Sequence, residues 1–202
     1  MSLAPKITER SGKIVRSAGQ LFARQGYHGT STREIALVAS VSENTIFRHF
    51  ESKEGLFWAS LSAYSADLRI NRDLLQEIAK GEAPDVVMPK IIQLLTDMVD
   101  YKPELPRLIA VAFLEMNGKA EGFCQDHLSP VLTAIYQYLS KSMKKGEMRE
   151  MDPSMTTAAL ISMVLMHPEI SRIIRDGKPV STDSRKAARA YTKYWLNMLT
   201  PG

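Results

Sequence analysis

The sequence predicts an all-α fold of about nine helices in total, because helical apolar periodicity is nearly continuous and strand-like alternation is scarce. Two further observations support it. Gly and Pro punctuate the chain at intervals that suit helix ends, and small polar caps precede the apolar runs. A short domain over residues 1–53 is expected, with a helix-turn-helix among its three helices. A larger helical domain over residues 54–202 follows it.

The first helix is expected from about Thr8 to Gln25, with Ile7, Ile14, Ala18, Leu21 and Phe22 on its buried side and Gly26 as a left-handed stop. Ser31 and Glu34 form a capping box for the second helix, each side chain placed to satisfy the other's free backbone donor. Ile35, Ala36, Val38 and Ala39 then keep helical spacing, and Ala39-Ser40-Val41 is the break. Ser42 caps a third helix, and Glu43 adds negative charge at its positive end. Ile46 and Phe50 lie four apart and share the inward face. Asn44, Thr45, Phe47, Arg48 and His49 are left along the other faces.

A short helix with an apolar back and a polar front, propped on its predecessor by a tight turn, has the layout of a DNA-reading helix-turn-helix. Its polar side chains can reach base edges in the major groove. The alternative is an ordinary helical hairpin whose polar face is merely hydrated. Charge bears on the choice. The chain carries +4 with a pI near 9.1. Residues 1–60 hold eight Lys and Arg against five Glu, a local +3. Most of the excess therefore lies where the pattern lies, as a polyanionic partner requires.

Ser52-Lys53-Glu54 caps a long fourth helix, expected to run to about Lys80 through Phe57, Leu61, Tyr64, Leu68, Leu75 and Ile78. Later helices are expected at Asp85 to Tyr101, Leu105 to Met116 and Gly122 to Lys145. Asp152-Pro153, a cap followed by proline at the first helical position, starts a helix over 154–166. His167-Pro168 should break or kink that helix, 177–182 reads as a loop, and the last helix spans 183–199. The helices at 154–166 and 183–199 are apolar over more surface than one neighbour covers, which suits pairing with a second copy.

Several classes are disfavoured. No basic start and apolar run marks a secretory leader, and nothing approaches the roughly 18 uninterrupted apolar residues of a membrane span, so a cytoplasmic location is expected. The single Cys124 forms no disulfide framework and is read as an idle thiol. His28, His49, His127 and His167 lack metal-ligand spacing, and no P-loop or GxGxxG is present. No catalytic residue, metal or cofactor is expected, and the protein is read as not an enzyme.

Residues 14 to 57, with LFARQGY, GTSTREIA, VSENT and IFRHFESKEGLF in order, resemble the N-terminal domain of the TetR family of bacterial transcriptional regulators. The resemblance covers about a quarter of the chain, and beyond it only the layout is similar. It implies a dimer on a palindromic operator in double-stranded DNA, most often a repressor released by a small-molecule inducer. The expected DNA-contacting residues are Thr32, Arg33, Ser42, Asn44, Thr45, Phe47, Arg48, His49 and Lys53. Within the resemblance, Arg33 stands where the family's arginine can read a base, and Lys53 stands at the family's phosphate-clamping lysine. Two positions depart from it. Ser40 replaces the usual turn glycine, and Phe47 replaces a tyrosine, so an altered base preference is expected.

The resemblance also implies a ligand cavity in the C-terminal region. Ten of the 11 Met lie at or after Met88, and flexible Met suits either a largely apolar effector or plain core filling. Phe113, Glu115, Met116, Phe123 and Tyr136 are the candidate lining. A helical ligand-binding or interaction module with a vestigial helix-turn-helix is the alternative.

Overall fold

The structure, a computed structural model, describes residues 9–66, 75–76, 78–116, 118–127, 129–174 and 184–201. Ten bounded helices lie among them: α1 Glu9–Gln25, α2 Thr32–Ala39, α3 Glu43–Phe50, α4 Lys53–Ala66 and α5 Pro84–Tyr101. These are followed by α6 Glu104–Glu115, α7 Lys119–His127, α8 Ser129–Lys144, α9 Pro153–Ile174 and α10 Ser184–Leu199. No strand occurs among the described residues, so the all-α class stands. No helix among them is long and apolar enough to cross a membrane.

The chain divides into two compact units, one of residues 1–68 with 102–127 and the other of 69–101 with 128–202. These units follow contacts and do not coincide with the boundary expected between residues 53 and 54. In the first unit α1 packs on α2, α4 and α6. Ile14, Val15, Ala18, Leu21 and Phe22 of α1 are buried there with Leu56, Phe57 and Leu61 of α4. The Phe22 and Phe57 rings meet edge to face at 5.2 Å, an arrangement in which a positive ring edge meets a negative face. Buried Ser60 donates within its own helix to Leu56 O at 2.8 Å, so it costs the core no unsatisfied group.

In the second unit Val87, Met88, Ile91 and Ile92 of α5 are buried with Ile135 and Leu139 of α8. Leu160 and Val164 of α9 and Tyr191 and Trp195 of α10 complete that core. Gly146 ends α8 with a left-handed φ of 73°. Asp152 caps α9 as the sequence implies, its Oδ1 accepting from Met155 N at 2.8 Å.

Three expectations change. Proline 168 does not end the helix at 166, since α9 continues to Ile174. Proline removes one backbone donor and crowds one carbonyl, a cost this helix, packed on α5 and α8, carries, and His167 beside it lies edge-on to Tyr191 at 5.2 Å. His167 thus lies inside a helix. Second, the stretch expected as one helix from Gly122 is described as α7, starting at Lys119, and α8. Third, Glu34 does not complete the capping box. Its Oε1 accepts from Gln25 Nε2 at 2.9 Å, an inter-helix bond that replaces the local one. The fourth helix is described to Ala66 and its continuation at 78–80 is helical, but Leu68 lies outside the described residues, as do Ile7 and the loop at 177–182.

Candidate nucleic-acid interface

The two helices of the turn are locked by caps their sequences supply. Ser31 Oγ accepts from Glu34 N at 3.1 Å, and Ser42 Oγ accepts from Thr45 N at 3.2 Å. Between them Ser40 takes φ 57°, ψ 48°, and Val41 N donates to Ala36 O at 2.9 Å while Ser40 N donates to Leu37 O at 3.1 Å. These paired bonds close the helix around a left-handed residue, so the turn keeps its register and Ser40 bears the strain. A second positive φ, 62° at Glu51, ends α3, where Ser52 N donates back to Phe50 O at 2.6 Å. Ser52 Oγ then caps α4 by accepting from Gly55 N at 2.9 Å. Gly55 has no room for a side chain, since a Cβ there would meet the Phe50 carbonyl oxygen.

This scaffold divides α3 cleanly. Ile46 and Phe50 are buried against the preceding and following helices, whereas Asn44, Phe47 and Arg48 are exposed along the opposite face. Thr45 and His49 flank them half-buried, and Ser42 is exposed at the helix start with its hydroxyl 2.9 Å from that of Thr45. On α2, Arg33 is exposed, while the Thr32 hydroxyl donates to Glu43 Oε2 at 2.7 Å. Thr32 is therefore spent between the two helices, and what it still offers an anion is its place in the first turn of α2.

Lys53 is half-buried, not free, with its Nζ 4.4 Å from the centroid of the Tyr27 ring. Burial lowers its pKa, and Glu115 opposes that shift. Tyr27 escaped the sequence reading because only the fold brings it under Lys53. A tie from α4 to α7 was equally invisible: Lys119 Nζ lies 2.7 Å from Glu54 Oε1, which also accepts from Trp58 Nε1 at 3.2 Å. Those contacts hold the Glu54 carboxyl below its usual range.

Of the candidate ligand-lining residues, Phe113 is exposed, Met116 is buried and Phe123 stacks on Trp58 at 5.9 Å, all in the first unit. Glu115 Oε2 accepts from His28 N at 2.9 Å, in the link between α1 and α2. Tyr136 lies in the second unit, exposed on α8. A groove of about 550 Å³ in that unit is lined by other residues, among them Pro89, Leu196, Arg185 and Arg189. Cys124 is half-buried, and burial, with Glu121 adding to it, pushes its thiol pKa up, the direction that disfavours the reactive thiolate.

The residues that build α1 to the start of α4 match a known family model: residues 14–59 fit that of the bacterial regulatory proteins, tetR family. Over 161 residues the chain is 29% identical to the uncharacterized HTH-type transcriptional regulator YvkB of Bacillus subtilis (strain 168), covering 67% of this chain and 84% of that one. It is 27% identical over 146 residues to the HTH-type transcriptional repressor AcnR of Corynebacterium glutamicum, covering 71% of each. Among solved structures, the transcriptional regulator FadR from Bacillus subtilis in complex with stearoyl-CoA has the same fold, with a TM-score of 0.70 at 15% identity over 93% of this chain and 98% of that one. With the helix-turn-helix built and its outer face open, residues 14–59 form a DNA-binding domain of the kind found in the tetR family of bacterial regulatory proteins, and the chain is similar to HTH-type transcriptional regulators over two thirds of its length.

Proposed function

We propose that the protein is a ligand-responsive repressor, not an enzyme, that binds a palindromic operator as a homodimer in the cytoplasm. The observation that carries this reading is the exposed Asn44-Phe47-Arg48 face of a capped α3 whose other side is buried. In the proposed complex α3 enters the major groove, with Asn44 and Thr45 at base edges and Arg48 and His49 at base or backbone. Phe47 supplies a ring for a thymine methyl. Arg33 reaches a base or a phosphate, and Ser42, the first turn of α2 at Thr32, and Lys53 hold the phosphates. Residues 1–53 carry the DNA-binding role and residues 54–202 the ligand and dimer roles.

Supporting the dimer, α9 leaves Met155, Met163, Met166 and Ile170 exposed along one stripe, and α10 leaves Tyr194 and Met198 exposed. A second copy pairing these helices by two-fold symmetry would cover both stripes. Two recognition helices about 34–36 Å apart then meet successive major grooves. An effector, largely apolar and with its lining among the candidates of the first unit, Phe113, Glu115, Met116 and Phe123, would act through its differential affinity for two spacings, a coupling of about 1–3 kcal/mol. FadR's complex with stearoyl-CoA makes acyl thioesters one class to screen.

Selection from random duplex DNA tests the reading. A palindromic site should emerge, and its affinity should fall steeply as salt rises, since phosphate contacts release counterions. Arg33→Ala and Lys53→Ala should each weaken binding while leaving the helical content and oligomeric state intact. Enrichment of no sequence, with unchanged weak binding in both variants, would leave only the helical interaction module.

A further inference from the structure

We propose that Glu115 is a positioning residue for the DNA contact: it pins the link between α1 and α2 and competes with DNA phosphate for Lys53. The inference rests on the reading of Lys53 as a phosphate clamp, and the family resemblance assigns Glu115 no such role.

Glu115 ends α6, 87 positions along the chain from the backbone amide it holds, and its Oε2 accepts from His28 N at 2.9 Å. Its other oxygen lies against Gly26, where the backbone turns left-handed at φ 78°. A Cβ at Gly26 would come within 2.5 Å of Glu115 Oε1. Tyr27, between these two residues, carries the Lys53 ammonium 4.4 Å from its ring centroid. The carboxylate and the ammonium therefore sit on the same three-residue segment, each fixed to it by a separate contact. Glu115 raises the Lys53 pKa against the effect of burial, as a nearby opposite charge does. The neighbouring carboxylate, Glu54, is already bonded to Lys119 at 2.7 Å.

The consequence follows from counterion release. A lysine whose charge is partly neutralised by a protein carboxylate displaces fewer counterions when it reaches phosphate. Glu115 thus weakens the clamp while it steadies the segment under it. Because the carboxylate belongs to α6, a shift of α6 would change both effects at once.

The experiment is a salt titration of the full chain on two probes, the duplex recovered by selection and a random-sequence duplex. Glu115→Gln keeps the side-chain length and the acceptor for His28 N but removes the charge. It should tighten binding to both probes several-fold at low salt. The log-affinity against log-salt slope should steepen by up to about 0.9 per protomer, about 1.8 for the bound dimer, the contribution of one restored cation in each copy. In a Lys53→Gln background the same substitution should leave the slope unchanged. Glu115→Asp, which restores the charge on a shorter arm, should return the slope toward wild type. An unchanged slope in Glu115→Gln overturns the inference, as does an equal steepening without Lys53, which would mark a general charge effect. Wild-type protein that binds neither probe would instead sink the DNA-binding reading itself.

Discussion

Ser40 shows how a single residue can carry a turn its side chain opposes. A left-handed conformation costs a non-glycine residue roughly 1–2 kcal/mol, and Ser40 holds φ 57° because the two closing bonds of α2 need it there. Glycine would remove that cost while loosening the unfolded chain by roughly 0.4–1 kcal/mol. Ser40→Gly is therefore expected to raise stability by about 0.5–1 kcal/mol, seen as a higher urea midpoint at unchanged slope. A lower midpoint would mean that the serine makes a compensating contact. That the turn must fall at Ala39-Ser40-Val41 was legible, because a cap and an apolar period stop and restart there. The positive φ at Glu51 was not, since nothing in Glu marks a left-handed residue and the tight corner into α4 imposes it.

At the scale of the element, α3 works because its inward and outward residues are segregated within eight positions. Phe47 is 43% exposed, enough to meet DNA without being needed by the core. Phe47→Tyr adds a hydroxyl at that exposed ring. If the ring lies along the backbone, the variant should bind selected and random duplexes more tightly by the same factor, about five-fold per protomer for one hydrogen bond near 1 kcal/mol and about 25-fold for the dimer. A change confined to the selected duplex would instead place the ring at a base. The recognition face was readable from the 3.6-residue period. Thr32 was not readable as spent, because its acceptor Glu43 belongs to the next helix and is reached only once the turn closes.

For the whole molecule, the exposed methionines and Tyr194 of α9 and α10 set the expected behaviour in solution. Tyr194 is 63% exposed on a helix whose other side, with Tyr191 and Trp195, is buried in the second unit's core. Tyr194→Glu should leave the helical content unchanged and convert a dimer to a monomer in sedimentation. Operator affinity should fall about 100-fold or more, because the second half-site loses its effective concentration. A variant that stays dimeric would move the interface elsewhere. The length of α9 itself was misread from the sequence, where Pro168 looks like a stop. A proline costs one backbone bond, and the helix runs on through it, with His167 edge-on to Tyr191 of α10.

What the sequence determined by itself is whatever depends on near neighbours along the chain. Caps, helix periods and the place of the tight turn are set within a few residues, and they were enough to name α3 and its polar face. Tertiary structure alone decided which of those polar groups are still free. The Thr32 hydroxyl is taken by Glu43, Glu34 by Gln25, Lys53 lies over Tyr27, and Glu115 reaches back to the His28 amide. Such pairings depend on distances that only packing creates, because an ammonium or carboxylate will bind whichever opposite group the fold brings within a few ångströms.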